Sequence, residues 1–307
     1  MVWIFYHDKC SDGYGAMYVV RYALLLNNFR SEDIKAVPVS YGDDITCHIE
    51  NMSEENTVFI VDFSFTPDIL DLIANKVKDV ILIDHHISAI NMLKDYNNPK
   101  VSVNLDKTKS GTGLSWDICF PNNSRPIMVN HIEDRDLYGL GDRSKYNFSF
   151  QDTKRVITGL LLDGFNIENY NKHFFVEQDD LLYKELYNAG KTVEKYIGKE
   201  IDNLLNSKLE IVDTLFGKAG IINTPNVFTS DLLNTAIKKY NLDYALAYNY
   251  FKDKITISFR SHDEGTNVEH LAKAYFNGGG HRNSSGGYLV TTNVMDLFDT
   301  LGVKSGS

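Results

Sequence analysis

Apolar residues in the first half of the chain come in short unbroken runs, each ending on charged or ligating side chains. Residues 2–6 run into His7-Asp8-Lys9-Cys10-Ser11-Asp12-Gly13, residues 58–61 into Asp62, and residues 80–83 into Asp84-His85-His86. Uninterrupted β-prone runs of this length read as strands buried on both faces, the habit of a parallel sheet. Helical spacing follows each of them, over about 14–27, 67–77 and 87–96, the second opened by Pro67. Strand, polar loop and helix in repeated order is the βαβ plan, and it lines the polar loops along one edge of one sheet. Residues 101–103 add a short strand. Gly111-Thr112-Gly113 opens a helix, and an apolar segment over 127–132 leads into Glu133-Asp134-Arg135-Asp136.

The pattern changes near Glu177. Leu182, Leu186, Ala189, Val193, Ile197, Ile201 and Leu204 recur every three or four residues with Lys and Glu between them. That is one long amphipathic helix, with a break at Gly190 or Gly198 as the alternative. It reads as a connector between domains; the competing reading is a helix that pairs two copies into a homodimer. Residues 208–212, 219–222, 244–251 and 254–259 then read as strands, with helices over 230–240 and 267–275. Gly278-Gly279-Gly280 leads into His281 and Arg282, a glycine run whose free N–H groups suit an anion. With Arg260 on a neighbouring strand it reads as a phosphate clamp. The tail over 302–307 reads as disordered. The expected fold is α/β: a parallel-sheet domain over 1–176, a linker helix over 177–207, and a smaller α/β domain with a mixed sheet over 208–307.

Composition narrows the function. With 43% hydrophobic and 23% charged residues, the chain has the make-up of a soluble globular protein. No apolar run has the length of a membrane span, and the first residues lack the basic region of a signal peptide. Cys10, Cys47 and Cys119 are far apart, without metal-knuckle spacing, so a reducing cytoplasm is the expected compartment. A net charge of −10 argues against a broad basic surface tracking long duplexes. Acids gathered around divalent cations would add to that charge and still attract phosphate, which favours short oligonucleotides or mononucleotides. One strand ending in an acid is a helix cap. Several along one edge would bring His7, Asp12, Asp62, Asp84, His85 and Asp134 together, a donor set suited to a pair of ions such as Mn²⁺ or Mg²⁺.

At this point the chain resembles the DHH phosphoesterase superfamily, in the branch with a DHH-associated C-terminal domain. The resemblance rests on His7-x-x-Cys10-x-Asp12-Gly13, Val61-Asp62, Asp84-His85-His86, Asp134-Arg135-Asp136, Phe259-Arg260-Ser261 and Gly278-Gly279-Gly280-His281, in that order. It implies a dinuclear site, usually Mn²⁺, with Mg²⁺, Co²⁺ or Zn²⁺ as alternatives. His7 and Asp62 would bind one ion; Asp12, Asp62, His85 and Asp134 the other. Asp84 would orient this shell and His86 would face the substrate phosphate. Arg260, Gly279, Gly280, His281 and Arg282 would hold the nucleotide across a cleft. The commoner pattern has aspartate at position 10, so Cys10 is a ligand for a softer metal, stands aside, or leaves the first ion weakly bound. Either Asp134 or Asp136 could be the fourth-motif ligand; Asp134 is favoured because Arg135 and Asp136 can pair. The implied activity is two-metal hydrolysis of short oligonucleotides, cyclic or linear dinucleotides, or nucleoside bisphosphates. The alternatives are a pyrophosphatase-like enzyme, whose Arg-Lys-Lys signature the chain lacks, and a non-catalytic nucleotide-sequestering protein.

Overall fold

In the computed structural model, β1 (Val2–His7) and α1 (Ser11–Leu26) open the chain. They are followed by β2 (Ile34–Val39), α2 (Thr46–Glu50), β3 (Thr57–Val61), α3 (Pro67–Lys76), β4 (Asp79–Asp84), α4 (Ile87–Met92) and β5 (Val101–Leu105). The structure describes residues 1–139, 141–225 and 228–303, so residues 304–307 of the expected tail lie outside it. These strands form one wholly parallel sheet in the order β2-β1-β3-β4-β5. The sequence reading missed β2. Its exposed positions and Pro38, which cannot donate to a ladder, belong to the edge strand it proves to be.

The unbroken apolar runs have the expected cause. Val2 and Ile4 face a core shared with α1, while Trp3 and Phe5 face another packed under α3. The first core is completed by α5 (Gly111–Cys119), α6 (Ile127–Asp136), α7 (Phe150–Leu161) and α8 (Ile167–His173). Strand order reverses at β1, which lies between β2 and β3, so the C-terminal ends of β1 and β3 flank a topological switch point. His7 ends β1, Asp62 follows β3 and Asp84 ends β4.

Helix α9 (Leu181–Lys208) runs unbroken through Gly190 and Gly198. The chain divides inside it into two compact units, Met1–Val193 and Glu194–Ser307. Tyr183 and Leu186 join the first unit's core, Ile201 and Leu205 the second's.

The second unit continues through β6 (Glu210–Thr214), β7 (Gly217–Asn223), α10 (Thr229–Tyr240), β8 (Tyr244–Phe251) and β9 (Lys254–Ser261). It ends with α11 (Val268–Tyr275), β10 (Gly279–His281), β11 (Ser284–Val290) and α12 (Met295–Leu301). Its sheet is ordered β10-β11-β9-β8-β7-β6 and is mixed, with β7 and β8 parallel among otherwise antiparallel pairs. One face packs Leu246, Ile257 and Phe259 against α11 and α12; the other packs Ala245 and Ala247 against α10.

Candidate metal centre

Asp62 sits just past β3 with φ +52, a left-handed conformation uncommon for a residue with a side chain. Its carboxylate is buried, with His7 Nδ1 at 3.5 Å on one side and His85 Nε2 at 3.1 Å on the other. The backbone of Gly111 presses against it: a Cβ at that position would lie 2.6 Å from Asp62 Cβ. Asp12, fully buried in the first turn of α1, accepts from Gly111 N at 2.6 Å and Thr112 N at 2.8 Å. The N-terminus of α5 therefore holds Asp12 in place with backbone dipoles. The sequence reading saw the glycines only as a helix start; the polar ladder to Asp12 spans the chain and leaves no local signal.

Asp84 is fully buried and braces its neighbours. Its Oδ1 accepts from the backbone N–H groups of His85 and His86 and lies 2.7 Å from His86 Nδ1, while its Oδ2 accepts from Ser64 Oγ at 2.6 Å. Both His86 nitrogens are thereby assigned: Nδ1 bonds Asp84 and Nε2 is left for solvent or a ligand.

Among the described residues, three sets each have their donor atoms within 4.8 Å of one another: His7, Cys10 and Asp62; Asp62, Asp84, His85 and His86; and Asp12, His85 and Asp136. Asp62 and His85 are each common to two of them. Asp134, the residue favoured from the sequence, is not among them. Its carboxylate pairs with Arg143 on one oxygen and accepts from Thr153 Oγ1 at 2.6 Å on the other. Asp136 is among those sets instead, with Oδ2 3.5 Å from His85 Nε2. The apolar segment before these acids is helix α6, on which alternate residues point to opposite sides. The expected pairing of Arg135 with Asp136 gives way to this contact with His85.

The electrostatics are those of an anionic pocket. Burial, then the charges of Asp62 and Asp136, push the Asp12 carboxyl well above the usual carboxylate range. Burial would lift Asp62 too, but the imidazoles of His7 and His85 hold it down at about 2. For His85, burial works toward the neutral ring, and the bond to Asp62 with the charges of Asp12 and Asp136 outweighs it, raising the group to about 9. Two buried atoms facing each other, His7 Nδ1 and Asp62 Oδ2, have no hydrogen-bond partner among the described residues. Carboxylates, imidazoles and a thiol in overlapping sets, with orphaned donor atoms between them, fit divalent cations.

The remaining residues singled out from the sequence lie in the second unit. Arg260, on β9, donates through Nη1 to the Phe259 carbonyl at 2.7 Å and through Nε to Ser230 Oγ at 3.3 Å. Gly279 and Gly280 form edge strand β10 against Gly286 and Ser285, not an open loop. The approach is so close that a Cβ at Gly280 would sit 2.8 Å from Ser285 Cα. His281 ends that strand with its ring exposed. Arg282 is exposed and donates to the carbonyls of Asp263 and Gly265, which ties a loop.

No family model matches the chain. An uncharacterized protein of Acanthamoeba polyphaga mimivirus is 27% identical over 303 residues, covering 92% of this chain and 66% of its own length. Among solved structures, a DHH domain from a member of the s1p family of ribosomal proteins aligns over 99% of this chain and 87% of its own, at 16% identity and TM-score 0.57. The exonuclease RecJ bound to manganese aligns over 98% of this chain and 87% of its own, at 13% identity and TM-score 0.51. A pGpG-specific phosphodiesterase from Vibrio cholerae aligns over 98% and 96%, at 12% identity and TM-score 0.50. The fold is that of the DHH-domain proteins.

Proposed function

We propose that this chain is a metal-dependent phosphoesterase that hydrolyses phosphodiester or terminal phosphate bonds in short oligonucleotides, dinucleotides or nucleoside bisphosphates. The observation that carries the reading is the set of overlapping donor groups joined through Asp62 and His85 at the sheet's switch point. Fold likeness to an exonuclease and to a phosphodiesterase acting on pGpG agrees with it.

His7, Cys10 and Asp62 would hold one cation, and Asp12, Asp62, His85 and Asp136 a second, with Mn²⁺ the leading choice. Bound there, such ions lower the pKa of a water and neutralise charge on the phosphate under attack. The chain's own part is to keep those donors fixed and to supply a proton. His86 is braced by Asp84, and the hydrogen bond to Asp84 raises its pKa despite partial burial. Its Nε2 is the donor to a non-bridging oxygen or to the leaving group. In the second unit, acting as a DHH-associated domain, Arg260, Gly279, Gly280 and His281 would grip the nucleotide phosphate, with Arg282 bracing their loop.

Purified protein with Mn²⁺ should release mononucleotide from dinucleotides such as pGpG, or phosphate from pAp, faster than it cleaves pyrophosphate. Asp62→Asn should abolish the turnover. Failure to cleave dinucleotides, cyclic dinucleotides, pentanucleotides and pAp alike would overturn the reading, as would a preference for pyrophosphate.

A further inference from the structure

Strand β9 alternates strictly: Ile255, Ile257, Phe259 and Ser261 are buried, while Lys254, Thr256, Ser258 and Arg260 are half-exposed. Residues in cross-strand register share a face. Arg260 pairs with Ala245 and Ser284, Ser258 with Ala247 and Gly286, Thr256 with Asn249 and Tyr288, and Lys254 with Phe251 and Val290. Helix α10 packs on this face over Ala245 and Ala247 of β8 and reaches the Arg260 end of β9 through Ser230. What lies beside it on β9 and β11 is a half-buried half-face, exposed at Val290 and Phe251. It carries a cation at each end, hydroxyls between them, a floor at Gly286 with no side chain, and aromatic rings at Tyr288 and Phe251.

We propose that this half-face is a track for single-stranded oligonucleotides of three or more nucleotides, running from Arg260 to Lys254. The inference rests on the proposed function for its Arg260 end and extends it along the sheet. The six residue steps from Lys254 to Arg260 span about 20 Å. At a rise of about 3.4 Å per nucleotide that is roughly six stacked nucleotides, and fewer in a stretched strand. A mononucleotide would need only the Arg260 end. Chemistry along the track matches such a strand: cations for phosphate, and a ring for base stacking. Lys254 Nζ lies 4.8 Å from the centre of the Tyr288 ring, so charge and stacking surface are presented together. Phe251, at 63% exposed, continues the aromatic surface.

The Arg260 end opens into a cavity of about 450 Å³ lined by Phe228, Thr229, Ser230, Asp231, Ser258 and Arg260. Thr229 Oγ1 is buried there with no hydrogen-bond partner among the described residues, a donor suited to a phosphate oxygen at the α10 N-terminus. Asp231 is the acid at this end; β9 and β11 carry none. In a chain of net charge −10, that makes the half-face complementary to a polyanion.

Fluorescence anisotropy of the full chain in EDTA, with labelled single-stranded RNA and DNA of two to eight nucleotides, tests this without turnover. Affinity should rise at least about tenfold from two to six nucleotides and then level off. Lys254→Ala and Tyr288→Ala should each weaken hexanucleotide binding about fivefold or more, Lys254→Ala lowering the salt slope by about 0.7. Lys199→Ala, a cation exposed on α9, should change neither. Thermal unfolding checks that each variant folds. Length-independent affinity, or unchanged hexanucleotide binding in both track variants, overturns the track. So does a chain that sediments as a dimer split by Lys254→Glu and binds no oligonucleotide, because a second copy would then cover the face. Length-dependent binding without hydrolysis in Mn²⁺ would sink the phosphoesterase reading and leave the track standing; dinucleotide hydrolysis without length dependence would do the reverse.

Discussion

Asp134 and Asp136 leave helix α6 on opposite sides. Two steps along an α-helix turn a side chain by about 200°, so only one of the pair can face His85, and it is Asp136. Asp134 anchors a buried chain whose proton positions are determined. Thr153 gives its one hydroxyl proton to Asp134, so it accepts from His131 Nδ1 at 2.9 Å, and His131 Nε2 accepts from the Tyr183 hydroxyl at 2.9 Å. That chain, with Arg143 on the other carboxylate oxygen, sets the rotation of α6 that aims Asp136 at the centre.

The two acids should therefore fail differently. Asp136→Asn is expected to weaken Mn²⁺ binding, followed by calorimetry, at least about tenfold with little loss of stability. Asp134→Asn leaves Arg143 without its carboxylate and should cost about 3 kcal/mol in urea unfolding, the low end for a buried pair because Arg143 keeps some contact with water. Folded Asp134→Asn protein should still bind the ion. The opposite pattern would restore Asp134 as the ligand.

His131 makes the first unit acid-sensitive. Burial, with the nearby Arg143 charge adding to it against Asp152, lowers its pKa to about 3. The unfolded chain, with histidine near 6.5, binds the extra proton first. The contribution of His131 is thus complete above about pH 6.5 and is lost as pH falls toward about 3, at up to ~1.4 kcal/mol per pH unit. Replacing it by Asn should flatten that part of the stability curve between pH 6.5 and 4.5. Parallel wild-type and His131→Asn curves over that range would mean that the ring is not held neutral.

Much of the centre was legible because strand ends are local. His7, Asp62, Asp84 and His85 each follow an apolar run, and a parallel sheet gathers such ends whatever the loops between them do. What was hidden depends on rotation or on distant partners. Asp134 and Asp136 differ only by helix phase, which an apolar segment of uncertain type did not reveal. Gly111 and Thr112 hold Asp12 from about a hundred positions away. In the second unit, the glycine run reads as a loop from composition, but its close backbone approach to β11 makes it a strand.

The two glycines of α9 separate packing from propensity. A Cβ at Gly190 would run into the backbone carbonyl of Arg155, whereas nothing lies within 4 Å of one at Gly198. Gly198→Ala should stabilise the helix by about 0.5–1 kcal/mol, since alanine loses less backbone freedom on folding. Gly190→Ala should destabilise by about 1–3 kcal/mol through overpacking. Chemical denaturation of the two variants should move in opposite directions; a shared direction would show that α7 and α9 do not approach so closely at Arg155.

Cys10 should decide which ion the first set of donors prefers. It precedes α1 and shares its ligand space with His7 and Asp62. Burial, then the charges of Asp62 and Asp12, push its thiol up to about 12, so without a cation it keeps its proton. A thiophilic ion drives off such a proton, while Mn²⁺ prefers oxygen donors. Titrating the protein with Co²⁺ should therefore bring up thiolate-to-cobalt absorption in the near ultraviolet and release a proton. Cys10→Asp should abolish the band and move selectivity toward Mn²⁺ over Zn²⁺ by about tenfold. A cobalt spectrum identical in wild type and Cys10→Asp would remove the thiol from the coordination shell and leave His7 and Asp62 to hold that ion by themselves.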